Sequence, residues 1–253
     1  MTLTDPKIKS FLARIGSGLR DYLKPKLEFS NGNVGLGTNQ YHWGKEETRE
    51  FSSIIEGVMT NRATNLLIMT SVEVTDQYGR LLGYINRKKK PKKGEVLVEK
   101  PSFESSLNVK MLGSGYAFMY LIYPNLVIEK GETERISMST LLATASDTSI
   151  IDIERPMVKM VVKTFSKAVS SGRGLFKSKD ANKAQVILDP FEFRYLARVF
   201  DENEKYKGPD RLCADIVSQK LYPADRYFEV AKKNRLFFNK GDEKIAKKKY
   251  DPV

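Results

Sequence analysis

Leu107-Asn108-Val109-Lys110-Met111-Leu112-Gly113-Ser114-Gly115-Tyr116-Ala117-Phe118-Met119-Tyr120-Leu121-Ile122 is the stretch on which the fold turns. It reads as two strands, Leu107–Leu112 and Tyr116–Ile122, separated by the turn residues Gly113, Ser114 and Gly115. In the second strand Tyr116, Phe118, Tyr120 and Ile122 lie on one parity, and Ala117, Met119 and Leu121 on the other. A strand apolar on both faces is usually central and covered twice. Upstream, Leu66–Val74 and Arg80–Ile85 flank the turn Asp76-Gln77-Tyr78-Gly79, and Glu95–Glu99 follows. The expectation is an α+β protein with a mainly antiparallel central β-sheet, an N-terminal amphipathic helix and a helical C-terminal third.

Working outward, the chain divides into four parts: an amphipathic helix over 1–24, a β-rich core with one helix over 25–153, a helical region packed on that core over 154–235, and a basic tail over 236–253. Asp5-Pro6 opens the first helix by capping it and fitting its first turn. Ile8, Phe11, Leu12, Ile15, Leu19, Tyr22 and Leu23 follow at helical spacing, and Pro25 stops it. Asn31-Gly32 between Leu27–Phe29 and Val34–Leu36 predicts a hairpin, with Tyr41-His42-Trp43 in a loose glycine-flanked segment before a helix over Lys45–Thr60. Ile150–Ile153 is short and β-branched. Pro156 starts a helix running to Ser171, with Met157, Val158, Val161, Val162, Phe165 and Val169 inward.

After a strand over Ala184–Leu188, Asp189-Pro190 caps a helix over Phe191–Phe200. The segment Val186-Ile187-Leu188-Asp189-Pro190-Phe191-Glu192-Phe193 is similar in kind to the closing unit of PC4-type single-stranded-DNA-binding domains. The likeness is short and carries no residue role over. Gly208-Pro209-Asp210 predicts another helix, with Leu212, Ile216 and Val217 inward, and Pro223 one more. Phe237 and Phe238 lie within a Lys-rich tail that reads as a polyanion arm or a hook for a neighbouring subunit.

Charge points to a partner class. The chain carries 43 Lys+Arg against 31 Asp+Glu, a net charge of +12. Such an excess favours nucleic acid, an anionic membrane surface or an acidic protein. Arg87-Lys88-Lys89-Lys90-Pro91-Lys92-Lys93 concentrates it in a predicted loop, where the cations repel one another unless a phosphate backbone neutralises them. Protection of a sheet edge and nuclear localisation are the competing explanations. Lys159, Lys163 and Lys167 stand four apart on one helical stripe, and Arg173 follows in a Gly/Ser-rich turn. Tyr41, Trp43 and Tyr116 are the candidates for stacking on bases.

Catalytic chemistry is narrowed by scarcity. With one histidine, His42, and one cysteine, Cys213, a Ser-His-Asp, Cys-His or Cys/His-zinc arrangement is nearly excluded. A lone Cys forms no internal disulfide and suits a reducing compartment. Asp152 and Glu154 stand two apart, so on a strand they share a face and could hold a metal. The run from Met111 to Ile128 lacks charge but is broken by Gly113, Gly115 and Pro124, so no membrane span is expected.

These readings together predict a non-enzymatic nucleic-acid-binding protein without a cofactor. It would be intracellular, cytoplasmic or nuclear or within a virion, and an oligomer, preferring single-stranded DNA or RNA with little sequence specificity. Two alternatives stand beside it: a self-assembling viral or phage structural protein, and a metal-dependent nuclease.

Overall fold

The computed structural model describes residues 3–28, 36–59, 64–69, 83–89, 105–123, 156–177, 188–203 and 208–253. Its centre is a five-stranded sheet of order β3-β6-β4-β5-β7, made of β3 (Leu121–Ile122), β4 (Leu212–Asp215), β5 (Lys220–Tyr222), β6 (Arg235–Phe238) and β7 (Asp251–Pro252). The inner pairs β6/β4 and β4/β5 are antiparallel, while the outer pairs β3/β6 and β5/β7 are parallel. The sheet is therefore small and mixed, which overturns the expected mainly antiparallel central sheet.

The two strands read in the opening stretch explain much of that correction. Residues Leu107–Ser114 form a helix, α4, and Tyr116–Ile122 contracts to the two residues of β3. Ser106 caps α4 by accepting the Val109 N–H at 3.3 Å, and Gly115 ends it in the left-handed region at φ 80°. Such caps settle the helix against the strand reading. Of the predicted hairpin over 66–85, residues 70–82 lie outside the described residues; the described part is a two-stranded ribbon, β1 (Thr64–Met69) paired antiparallel with β2 (Tyr84–Lys89), outside the five-stranded sheet. Glu95–Glu99 lies outside the described residues.

Of the sheet's strands, β4 and β5 come from the region expected to be helical, and β6 and β7 from the expected tail. Leu212–Asp215 and Lys220–Tyr222 form a hairpin rather than a helix. Asp215 Oδ1 accepts the N–H groups of Val217 at 2.9 Å and Ser218 at 3.3 Å, closing its turn. Residues 236–253, read as a mobile basic arm, supply β6, a helix α7 (Glu243–Lys249) and β7. Phe237 and Phe238 are buried in the molecule itself, 3% and 0% exposed, rather than offered to a neighbour.

Strand alternation sorts the apolar side chains into two cores. Leu121, Ala214, Leu221, Leu236 and Phe238 face one side, with Leu112 of α4, Val158, Val161 and Phe165 of α5 (Pro156–Ser170) and Ala246 of α7. Cys213 and Phe237 face the other, with Ile8, Phe11 and Leu12 of α1 (Pro6–Arg14), Leu19 and Leu23 of α2 (Ser17–Glu28) and Phe191, Tyr195 and Leu196 of α6 (Pro190–Arg198). Helices thus cover both sheet faces. Each fully buried Leu or Phe contributes about 1.5–3 kcal/mol of hydrophobic stabilisation.

The N-terminal helix is two helices. Asp5 caps α1 by accepting the Lys7 N–H at 2.9 Å, as its position implies. Ile15 is extended, φ −88° and ψ 157°, and breaks the run, after which α2 continues through Pro25 to Glu28. The chain enters α3 (Leu36–Met59) earlier than expected, so Tyr41, His42 and Trp43 are helical. Residues 29–35, where the Asn31-Gly32 hairpin was expected, lie outside the described residues. Among the described residues no helix is long and apolar enough to cross a membrane.

Candidate nucleic-acid interface

Helix α5 forms because its apolar residues recur at helical spacing, burying Met157, Val158, Val161, Phe165 and Ala168. The same period places Lys159, Lys163 and Lys167 on the opposite, exposed side. Among the described residues no carboxylate lies within ion-pair distance of Lys163 or Lys167. Arg173 follows the helix end, where its N–H bonds Ala168 O at 3.0 Å. Its side chain is exposed while Nη1 donates to Gly113 O at 3.1 Å. Helix α7 buries Ala246 in the same core as α5 and exposes Lys244, Lys247 and Lys248.

The run Arg87–Lys93 is only partly within view. Arg87, Lys88 and Lys89 pair with Leu66, Asn65 and Thr64 in the ribbon, so the run begins as strand rather than loop. Lys90, Lys92 and Lys93 lie outside the described residues, as do Asp152 and Glu154.

The three stacking candidates separate. Tyr41 is 64% exposed, with Lys45 Nζ 4.6 Å from its ring centre. Trp43 is buried in a small cluster with Leu175, against which Tyr116 and Phe118 pack. Only Tyr41 therefore presents an open ring. His42 stands 5.4 Å from Trp43, ring centre to ring centre, on the outside of α3.

The most perturbed ionisable groups hold the fold together. Glu192, fully buried, accepts from Lys26 Nζ at 2.6 Å, Tyr22 Oη at 2.5 Å, Tyr227 Oη at 3.2 Å and the Asp189 N–H at 3.1 Å. Burial alone would push its carboxyl up. The Lys26 and Lys232 charges, with hydrogen bonds from Lys26 and Tyr22, outweigh burial and hold it at about 2. Asp189 is bridged by Lys232 at 2.8 Å and Arg235 at 2.9 Å. Burial raises Tyr22, Tyr195 and Tyr227, and pushes the Cys213 thiol up to about 12. Every group here has a partner, and the network ties α2 and α6 to β6; nothing in it is placed to meet a substrate. Among the described residues no three His, Cys, Asp or Glu side chains gather as metal ligands.

Sequence reasoning missed a cavity of about 580 Å³ between α3, α4, the start of β2 and the segment leading into β3. Phe51, Tyr84, Tyr116, Phe118 and Tyr120 line it, and Glu47 of α3 stands in its wall. Tyr116 and Tyr120 belonged to the expected strand face, but nothing local links them to Glu47, which is far away in sequence. Comparison with family models, with curated proteins and with solved structures finds no match to this chain.

Proposed function

We propose that this chain is a non-enzymatic nucleic-acid-binding protein that grips phosphates through exposed lysines and reads little sequence. The observation that carries the proposal is the α5 stripe: Lys159, Lys163 and Lys167 exposed in register, with Lys163 and Lys167 lacking a carboxylate partner among the described residues. Holding like charges in a row, helically spaced, is unfavourable by a few tenths of a kcal/mol per pair. A polyanion removes that repulsion and releases its own counterions on binding. The net charge of +12, Arg173, and the cations of Arg87–Lys93 support the same reading. The exposed ring of Tyr41 gives unpaired bases a surface to stack on, which favours single strands or RNA.

The test is a binding panel of single- and double-stranded DNA and RNA, each titrated with salt. The expected result is binding whose logarithm falls linearly with the logarithm of salt concentration, tighter for single strands or RNA. No binding, or binding indifferent to salt, overturns the proposal.

A further inference from the structure

The cavity beside α3 combines two features. Glu47 is half-buried in its wall, and among the described residues its carboxylate has neither an ion-pair nor a hydrogen-bond partner. Neighbouring Glu46 does have one, Arg49 at 2.6 Å on the outer side of the helix. Removing a carboxylate from water without a compensating group costs stability; burial accordingly pushes the Glu47 carboxyl above its ordinary range. Among the described residues that line the cavity, Glu47 is the only one with a formal charge at neutral pH.

The second feature is the set of rings. Phe51, Tyr84, Tyr116, Phe118 and Tyr120 share the same space. Aromatic faces carry negative potential and attract cations, most strongly where water is excluded. Two of these rings already do so within the fold: Lys232 Nζ lies 4.9 Å from the centre of Phe118, and the Arg211 guanidinium 5.8 Å from that of Tyr120. A carboxylate and ring faces in one cavity disfavour a phosphate, and a neutral donor can bond Glu47 but leaves its charge unanswered. A cation with an apolar body satisfies both. The volume suits a small organic molecule.

We propose that this cavity binds a small organic cation, an ammonium carried on an apolar body, with Glu47 as its counter-ion and the five rings as its walls. The proposal is independent of nucleic-acid binding, because a phosphate backbone has no favourable contact there.

Calorimetric titration of the full chain tests it with a matched pair of probes. These are meta-hydroxyphenyltrimethylammonium and meta-tert-butylphenol, which differ by nitrogen for carbon and hence by the charge alone. The cation is expected to bind about tenfold or more tightly than its isostere, the size of one desolvated cation–carboxylate or cation–ring contact. Glu47→Gln should weaken cation binding about tenfold and leave the isostere unchanged, the rings keeping what preference remains. Glu46→Gln, on the same helix turn but outside the cavity, should leave both unchanged. Equal affinity for the two probes, failure of the cation to bind, or insensitivity to Glu47→Gln overturns the proposal. The comparison of the two probes on the unaltered protein stands even if a variant folds poorly.

Discussion

Lys26 Nζ lies 2.6 Å from Glu192 Oε2, with both side chains almost wholly removed from water. The two residues come from α2 and α6, so the ion pair fastens the N-terminal helices to the rest of the molecule. Breaking a buried pair by removing one partner typically costs about 3–5 kcal/mol, because the other charge stays behind. Lys26→Met is therefore expected to lower unfolding free energy by about 3 kcal/mol. Adding Glu192→Gln should recover part of that loss, since the amide still accepts the Asp189 N–H without carrying a charge. Urea denaturation of the single and double variants measures both steps. A double variant less stable than Lys26→Met would show that the charge itself is not the cost.

The same carboxylate sets an acid limit. Its folded value near 2 lies below its ordinary value of 4.5. A depressed carboxyl contributes stability above its unfolded pKa and loses it as pH falls toward the folded one. The window is thus about pH 4.5 down to 2, and the contribution lost is about 3 kcal/mol. Unfolding free energy followed across this range should fall, and Glu192→Gln should flatten the profile. A profile unchanged by Glu192→Gln would assign the acid loss to other carboxylates.

Which parts of this fold could be read in advance follows from how local their signals are. Asp5-Pro6, Pro156 and Asp189-Pro190 each start a helix where expected, because a cap acts through its own next few backbone N–H groups. The run 107–112 misled because two periods fit it. Leu107, Val109 and Met111 alternate as in a strand, whereas Leu107, Met111 and Leu112 form the buried side of α4. Ser106 and Gly115, read as caps, would have decided it. The tail misled because five of its residues are lysines, three of them in the run Lys247–Lys249, yet Leu236, Phe237, Phe238, Ala246 and Tyr250 are all buried. Short strands such as β6 draw their stability from neighbours distant in sequence, which local patterns do not display. The candidate site divides the same way. The α5 stripe is a helical spacing and was visible, while Glu47 and its rings meet only through tertiary packing.

Gly115 and Gly174 form a second tight joint, where Leu175 N donates to Gly115 O at 3.0 Å. Gly115 has φ 80°, and a Cβ there would stand 2.4 Å from Arg173 O. Gly115→Ala combines left-handed strain with a backbone collision, and about 2 kcal/mol or more should be lost. Gly57→Ala is the contrasting change. Gly57 lies inside α3 with nothing within 4 Å of an added Cβ, so the substitution should stabilise by up to about 1 kcal/mol. Thermal unfolding of the two variants should move in opposite directions.

Cys213 offers a probe of opening. Its side chain is wholly buried on β4 and burial pushes its thiol up to about 12. Thiolate is the reactive form, so a thiol reagent should label the native protein only as fast as the sheet opens. The logarithm of the labelling rate should rise in Lys26→Met in proportion to its lost stability, each 1.4 kcal/mol giving about a tenfold acceleration. Rapid labelling of the unaltered protein would place Cys213 at the surface.

The lysine stripe can be separated from net charge by moving the same substitutions elsewhere. Lys247 stands 3.5 Å from Glu243 on α7, so its charge is partly answered within the fold, whereas Lys163 and Lys167 have no such partner among the described residues. Lys163→Gln/Lys167→Gln and Lys244→Gln/Lys247→Gln each remove two positive charges. If phosphates sit along α5, the first pair should reduce the salt-dependence slope by about 1.4, the value for two single-strand phosphate contacts, and the second by less. All four residues are exposed, so neither variant should change thermal stability appreciably. Equal losses from both pairs would mean that overall charge, and not the face of α5, attracts the nucleic acid.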